Sequence, residues 1–202
     1  NAAVFDIEID NLQSGFVSLL AGGAVTLENA GAAKIQGVEF DFVYSPTPVL
    51  NPGLVLAGGA GYLDAIYEEY KNGSGYDEAT GLFSSNLDFS GNRIGRTPDL
   101  TANITIAQVL EIGDFGELEI AVDHYYNSGF YYSPQNTVEE PEYTLTNGRV
   151  SFLYTPLNLR LTGYAKNILE TEYHYAKFQT DFGVNQTLGA PKQYGLRLEW
   201  QY

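Results

Sequence analysis

The chain contains no cysteine and no methionine, and only one tryptophan, Trp200. Without cysteine there is no disulfide framework, thiolate metal site or cysteine nucleophile. Basic residues are scarce, 10 Lys and Arg against 25 Asp and Glu, for a formal net charge of -15. This balance excludes nucleic acid as a partner, because phosphate binding needs clustered cations. Histidine occurs only at His124 and His174, and no serine lies in a nucleophile motif that either could serve as base. Both read as interfacial or loop histidines, and the chain is not expected to be an enzyme. The run Gly58-Gly59-Ala60-Gly61 lacks the following Lys and Ser/Thr of a phosphate loop, so its glycines are expected to let neighbouring strands or a plug approach closely. No cofactor is expected. Asn1 to Asp6 shows neither the basic start nor the apolar segment of a secretory signal. Long apolar runs are also missing: the longest, Leu54 to Leu63, is half Gly and Ala and stops at Asp64. A spanning helix needs about 20 apolar residues, so any contact with lipid is made by strands.

What is abundant is Tyr (16), Phe (11) and Gly (22), a β-rich composition. Period-two alternation dominates. Tyr194, Leu196, Leu198, Trp200 and Tyr202 occupy one face of the last segment, and Gly195, Arg197, Glu199 and Gln201 the other. Leu100, Ala102, Ile104 and Ile106 alternate with Asp99, Thr101, Asn103 and Thr105; Phe5, Ile7 and Ile9 alternate with Asp6, Glu8 and Asp10. Eight strands are predicted, at about 2–12, 32–44, 53–68, 97–110, 116–127, 142–155, 157–168 and 191–202. Short connections (Ser45–Pro52, Glu111–Phe115, around Pro156) alternate with long ones (Gln13–Gly31, Glu69–Arg96, Ser128–Pro141, Leu169–Ala190).

Alternating short and long connections predict an all-β fold, an antiparallel up-and-down transmembrane β-barrel with tight turns on one side and extended loops on the other. A soluble β-sandwich also alternates apolar and polar positions, but strands of about 10 residues match a tilted bilayer crossing better than a globular sheet. Aromatics gather at both strand ends: Tyr62, Tyr67, Tyr70, Tyr125, Tyr126, Phe130, Tyr131, Tyr132, Tyr173 and Tyr175 toward the long loops, and Tyr44, Tyr154, Trp200 and Tyr202 at the opposite end. They are expected to form interfacial girdles. The polar face is expected to carry Glu39, Asp41, Asp99, Asn103, Glu119, Asp123, Arg149, Arg160, Arg197 and Glu199. Its acids outnumber its arginines, which suits a wide or plug-facing lumen better than a narrow, filled one. The loop acids Asp77, Glu78, Glu139, Glu140 and Glu142 have no EF-hand spacing and read as a solvated acidic surface, with no metal ligand assigned.

Five segments carry a family resemblance. They are Asn29 to Glu39, Gly61 to Tyr67, Ser90-Gly91-Asn92-Arg93 with Pro98 and Asn103, Ala165 to Tyr173, and Gly189 to Tyr202. Together, in this order, they resemble the C-terminal barrel strands of TonB-dependent outer-membrane receptors. Lys192 stands where that family commonly has Arg, and Tyr202 where it has Phe. The resemblance implies that residues 1–202 are one segment, the C-terminal part of a 22-stranded barrel, with the plug domain outside this chain. It implies energised uptake of a scarce solute such as a siderophore, cobalamin or saccharide across the outer membrane of a Gram-negative bacterium, with both termini of the chain on the periplasmic side. Implied partners are outer-membrane lipid and lipopolysaccharide, the barrel-assembly machinery, the remaining strands and plug of the receptor, and TonB through the plug. A self-contained eight-stranded structural or adhesion barrel is the rival reading. In the closing strand, Tyr194, Leu196, Leu198, Trp200 and Tyr202 resemble the signal by which assembly machinery recognises its clients, and an unpaired edge strand makes strand augmentation physically available.

Overall fold

Strands form where the alternation runs, because each then shows one face to an apolar medium and the other to polar surroundings. The computed structural model describes residues 1–17, 25–47, 49–77, 79–180 and 182–200. Its strands are β1 (Ala2–Val17), β2 (Val25–Tyr44), β3 (Leu54–Glu69), β4 (Gly73–Tyr76), β5 (Phe83–Leu87), β6 (Leu100–Glu111), β7 (Gly116–Asn127), β8 (Phe130–Tyr131), β9 (Glu139–Glu140), β10 (Tyr143–Tyr154), β11 (Leu159–Lys166), β12 (His174–Thr180), β13 (Gly183–Leu188) and β14 (Gln193–Trp200). Eight of them make one antiparallel sheet in the order β1-β2-β3-β6-β7-β10-β11-β14. The other six form three two-stranded hairpins within the long connections.

The eight expected strands are therefore the eight of the large sheet, with one correction. The first long connection is much shorter than expected, because β1 and β2 stay paired up to Val17 and Val25. Gly, Ala and Asn residues there hide the alternation without preventing the ladder. The tight turns are set by backbone geometry. Gly116 opens β7 at φ 142, and a Cβ there would run into the Leu153 carbonyl oxygen. Glycines in the Gly58–Gly61 run sit where strands press together: a Cβ on Gly58 would meet the Asn103 carbonyl oxygen at 2.6 Å and the Phe42 ring at 3.0 Å.

Register reveals the tilt. Following directly paired residues across the sheet, Tyr44 leads through Leu56, Ile106, Val122, Gly148 and Ala165 to Tyr194. Tyr44 lies at the tight-turn end of its strand and Tyr194 at the long-loop end of its own. The line has crossed six inter-strand steps, about 29 Å, while slipping along the strands by the distance from Tyr194 to Trp200, about 20 Å. The ratio corresponds to strands inclined by about 35°, the tilt of a barrel wall. Among the described residues β1 and β14 each pair on one side only, so the sheet is an open wall.

Candidate functional site

The wall has two chemically distinct faces. Pairing puts Phe40, Ala60, Ala102 and Tyr126 in one row, with Ile104, Ile106, Val122, Val150, Leu161 and Leu198 on the same side. The large apolar side chains among them, Phe40, Ile104 and Leu198 included, are exposed, and among the described residues no second sheet covers them. A row of exposed large apolar side chains continuous across neighbouring strands marks a surface that meets lipid or a partner, which argues against the β-sandwich. Tyr62, Tyr126 and Tyr194 mark its long-loop edge, and Tyr44, Tyr154 and Trp200 its tight-turn edge, the two girdles of a bilayer-spanning band. The long-loop girdle is thinner than the sequence reading supposed: Tyr67 and Tyr70 are buried with Ala30, Ala33 and Phe89, and Tyr132 is held inside the loops.

The opposite face carries the expected polar set. Arg149 pairs with Glu119 at 2.6 Å and Asp123 at 3.8 Å, and the Thr105 hydroxyl donates to Asp123 at 2.7 Å. Arg160 reaches Ser151, itself bonded to Thr162 at 2.7 Å, and Arg197 pairs with Glu199 at 2.8 Å. Glu39, Asp41 and Asn103 follow in register around Gly59 and Gly61. This half-exposed ladder of ions and hydroxyls suits a hydrated lumen.

Above the wall the long loops are fastened to one another by side-chain amides acting as extra peptide groups. Asn136, at φ 59, accepts the Arg93 backbone N–H at 2.7 Å and donates to the Arg93 carbonyl at 3.0 Å. Gln135 accepts from the Tyr76 N–H at 2.9 Å and donates back to the Tyr76 carbonyl. Asn92 donates to the Pro134 carbonyl at 2.9 Å, and the Arg93 guanidinium pairs with Asp99 at 2.7 Å and Asp64 at 3.5 Å. The Ser90–Arg93 segment is thus a clasp between the second and third long loops. Asn167 does similar work at the base of the last loop, at φ 48. Its amide donates to the Thr171 and Ala190 carbonyls at 2.9 and 3.2 Å and accepts from the Thr171 N–H at 2.9 Å.

Glu140 corrects the sequence reading of a solvated acidic surface. It is only 2% exposed, accepts the His174 N–H at 2.8 Å, and pairs with Lys177 at 3.0 Å. The Tyr132 hydroxyl lies 3.0 Å from the same carboxylate and 2.7 Å from the His174 carbonyl, while Arg96 and Lys177 stand 5.3 and 5.8 Å from the Tyr132 ring centre. Burial pushes the Glu140 carboxyl up, and the His174 N–H, Lys177 and Tyr132 outweigh it, so the net shift is downward. Burial, then Glu140, push the Tyr132 hydroxyl well up. Glu142 accepts from Tyr126 at 3.0 Å, and Asp77 caps its own turn through Ala79 and Thr80. Glu78 lies outside the described residues. No group of three or more His, Asp or Glu able to hold a metal occurs among the described residues. His124 sits on the apolar face, its Nδ1 2.8 Å from the Thr146 hydroxyl. Nothing in the sequence distinguished Glu140 from its acidic neighbours; only the folded loops bring Tyr132, His174 and Lys177 to it.

Of the proposed closing-strand residues, Tyr194, Leu196, Leu198 and Trp200 are exposed on the apolar face of edge strand β14, and Tyr202 lies outside the described residues.

Comparison with known proteins accords with this geometry. The family model described as TonB dependent receptor-like, beta-barrel matches residues 1–168. The ferric yersiniabactin uptake receptor FyuA of Yersinia pestis superposes with a TM-score of 0.74 at 18% identity, over 98% of this chain and 26% of that one. The siderophore receptor PiuA of Acinetobacter baumannii gives 0.71 at 20% identity, over 100% of this chain and 26% of that one. BauA, the ferric preacinetobactin receptor of the same organism, gives 0.68 at 20% identity, with 98% and 26% covered. The chain thus spans about a quarter of the length of each.

Proposed function

We propose an uptake function, starting from the fact that the chain belongs to the TonB-dependent receptor β-barrel family. In this reading the chain is the C-terminal part of the wall of a Gram-negative outer-membrane receptor that imports a scarce solute, a siderophore first, with cobalamin and saccharide as further classes. The observation that carries it is a tilted, open eight-stranded wall, apolar and girdled outside, ionic inside, with clasped loops at one end. An open wall supports a barrel completed by further strands over a self-contained eight-stranded one. The tight turns and both chain ends lie on the periplasmic side, and the long loops face outward. The remaining strands and the plug complete the lumen, and TonB acts on the plug. Edge strand β14, which among the described residues pairs with β11 and carries Tyr194, Leu196, Leu198 and Trp200 on its outward face, is what the barrel-assembly machinery would engage, by strand augmentation.

The test is uptake by cells carrying the receptor that contains this chain as their only route for each of a panel of ferric chelates. Accumulation that needs both the receptor and TonB is expected for at least one of them. Uptake indifferent to TonB refutes the reading. A detergent-resistant, heat-modifiable monomer formed by residues 1–202 alone would instead favour the self-contained barrel.

A further inference from the structure

A loop that swings across a lumen has few buried contacts with its neighbours and opens at little cost. Among the described residues, each long connection of this chain is instead tied to the next. The first joins the second through a shared core: Ala30, Ala33 and Leu12 pack with Tyr67, Tyr70 and Phe89. The buried Tyr67 is also hydrogen-bonded to the Ser14 side chain and the Gly95 backbone. The second joins the third through the Asn136–Arg93 and Gln135–Tyr76 pairs, and through the Arg96 N–H, which donates to the Tyr131 carbonyl at 2.7 Å. The third joins the last through Glu140, through the Thr137 hydroxyl, which donates to Gln179 at 3.1 Å, and through Lys177, which donates to the Glu139 carbonyl at 2.8 Å. At the base of that junction the Tyr143 and Tyr173 rings stack at 5.2 Å.

These ties are of a kind that resists sliding. Asn136 and Gln135 each both donate and accept, as a peptide group does in a ladder, so displacing either loop breaks two bonds at once. Parting Glu140 from Lys177 would leave two charges unpaired at a buried place. The set is also fixed to the wall below it. Arg93 bridges in antiparallel fashion to Ile66 of β3, and its guanidinium reaches Asp64 and Asp99. At the other end Asn167 closes the base of the last connection. Neither end of the set hangs free.

We propose that the four long connections form one rigid jaw of the receptor. The surface they offer an arriving solute is preformed, and any movement that closes over the captured solute belongs to loops outside this chain. A preformed surface loses no ordering entropy at capture, which favours tight binding on this side of the mouth. The inference rests on the receptor reading above and adds to it which loops stay still.

Because this chain has no cysteine of its own, cysteine pairs can be placed in the whole receptor, with any cysteine outside the chain replaced by serine. Asn86→Cys and Gln186→Cys, exposed on β5 and β13, carry spin labels on the second and last connections. Pulsed electron spin resonance on the purified receptor should give one narrow distance. It should not change when the chelate that cells accumulate through TonB is added in excess as its diamagnetic gallium form. Adding Asn136→Ala and Glu140→Ala together should broaden it, because the third connection then loses a tie on each side. In cells, Thr137→Cys and Gln179→Cys joined by a short, cleavable thiol-to-thiol linker lock the third connection to the last. Uptake of the ferric chelate should stay within about twofold of the unlinked receptor, since fixing a contact that never opens costs nothing. A broad or double distance with the ties intact, or a shift on adding the chelate, overturns the proposal. So does about a tenfold loss of uptake that cleaving the linker restores. A narrow distance that survives loss of both ties overturns it too, by assigning the rigidity elsewhere. Failure of the receptor reading looks different: no chelate accumulates through TonB with or without the linker, and the spin-label distance in the receptor alone still decides whether the jaw is rigid.

Discussion

Removing the Glu140 carboxylate should unfasten the last two long loops while leaving the wall intact. In Glu140→Ala the His174 N–H loses its acceptor, and the Lys177 ammonium, with its side chain only 12% exposed, loses its counter-ion. Breaking a buried pair from one side costs about 3 to 5 kcal/mol, most of it the charge left behind. Lys177 keeps its bond to the Glu139 carbonyl at 2.8 Å, which favours the lower end, about 3 kcal/mol or a hundredfold in the opening equilibrium. Hydrogen exchange on the detergent-solubilised receptor is the assay. Peptides spanning β9 and the β12–β13 hairpin should exchange about a hundredfold faster, while those from β6, β7 and β10 should not change. Lys177→Met in the same background should restore part of the loss, because it removes the stranded charge. Exchange of the hairpin within threefold of wild type would refute the argument and show the hub to be a bystander, an expectation on the scale of ordinary surface substitutions.

Four further outcomes follow from the same geometry. Ile106→Arg, near the middle of the outer band, should cost about 2 to 4 kcal/mol in a lipid-refolding titration, whereas Thr105→Arg, one residue along and beside Asp123, should be tolerated. The depressed Glu140 pKa makes its contribution fully present above the unfolded carboxyl value, about 4.3, and lost as pH falls through the lower folded value; proteolytic nicking of residues 169–190 should therefore rise only once the pH falls below that unfolded value. In Glu140→Gln that acid-triggered step should vanish. Gly116→Ala, forced against the Leu153 carbonyl at a φ that side chains rarely adopt, should lower the yield of heat-modifiable barrel, with a penalty of about 1 to 3 kcal/mol. Asn167→Ala removes three hydrogen bonds at a position only 5% exposed and should loosen the last loop by about 2 to 4 kcal/mol, read as faster cleavage near Thr171.

Much of the wall could be read from the sequence. Alternation located all eight strands, and the spacing of turn residues placed the tight turns around Gly113–Phe115 and Pro156. It also put Arg149 with Glu119 and Asp123 on a single face. The loop chemistry was not legible. Gln135, Asn136 and Glu140 look like ordinary polar loop residues, and their partners lie 34 to 59 positions away. A close pairing at that separation is fixed by how neighbouring loops descend from a tilted sheet, and local composition carries no trace of it.

Phe5, Ile7 and Ile9 mark the boundary between the two kinds of knowledge. A repeat of two divides a strand into two faces with certainty, since successive side chains must point opposite ways. It does not say which face looks outward. That sign is set by the partner strand's register, which places Ile7 beside Ile35 and hence on the side of Glu39, inside the wall, while Asp6 and Glu8 face out. The sequence alone therefore determined that a two-faced β wall exists. Which medium each face meets, and where that assignment reverses along the strand, was decided only when the strands paired.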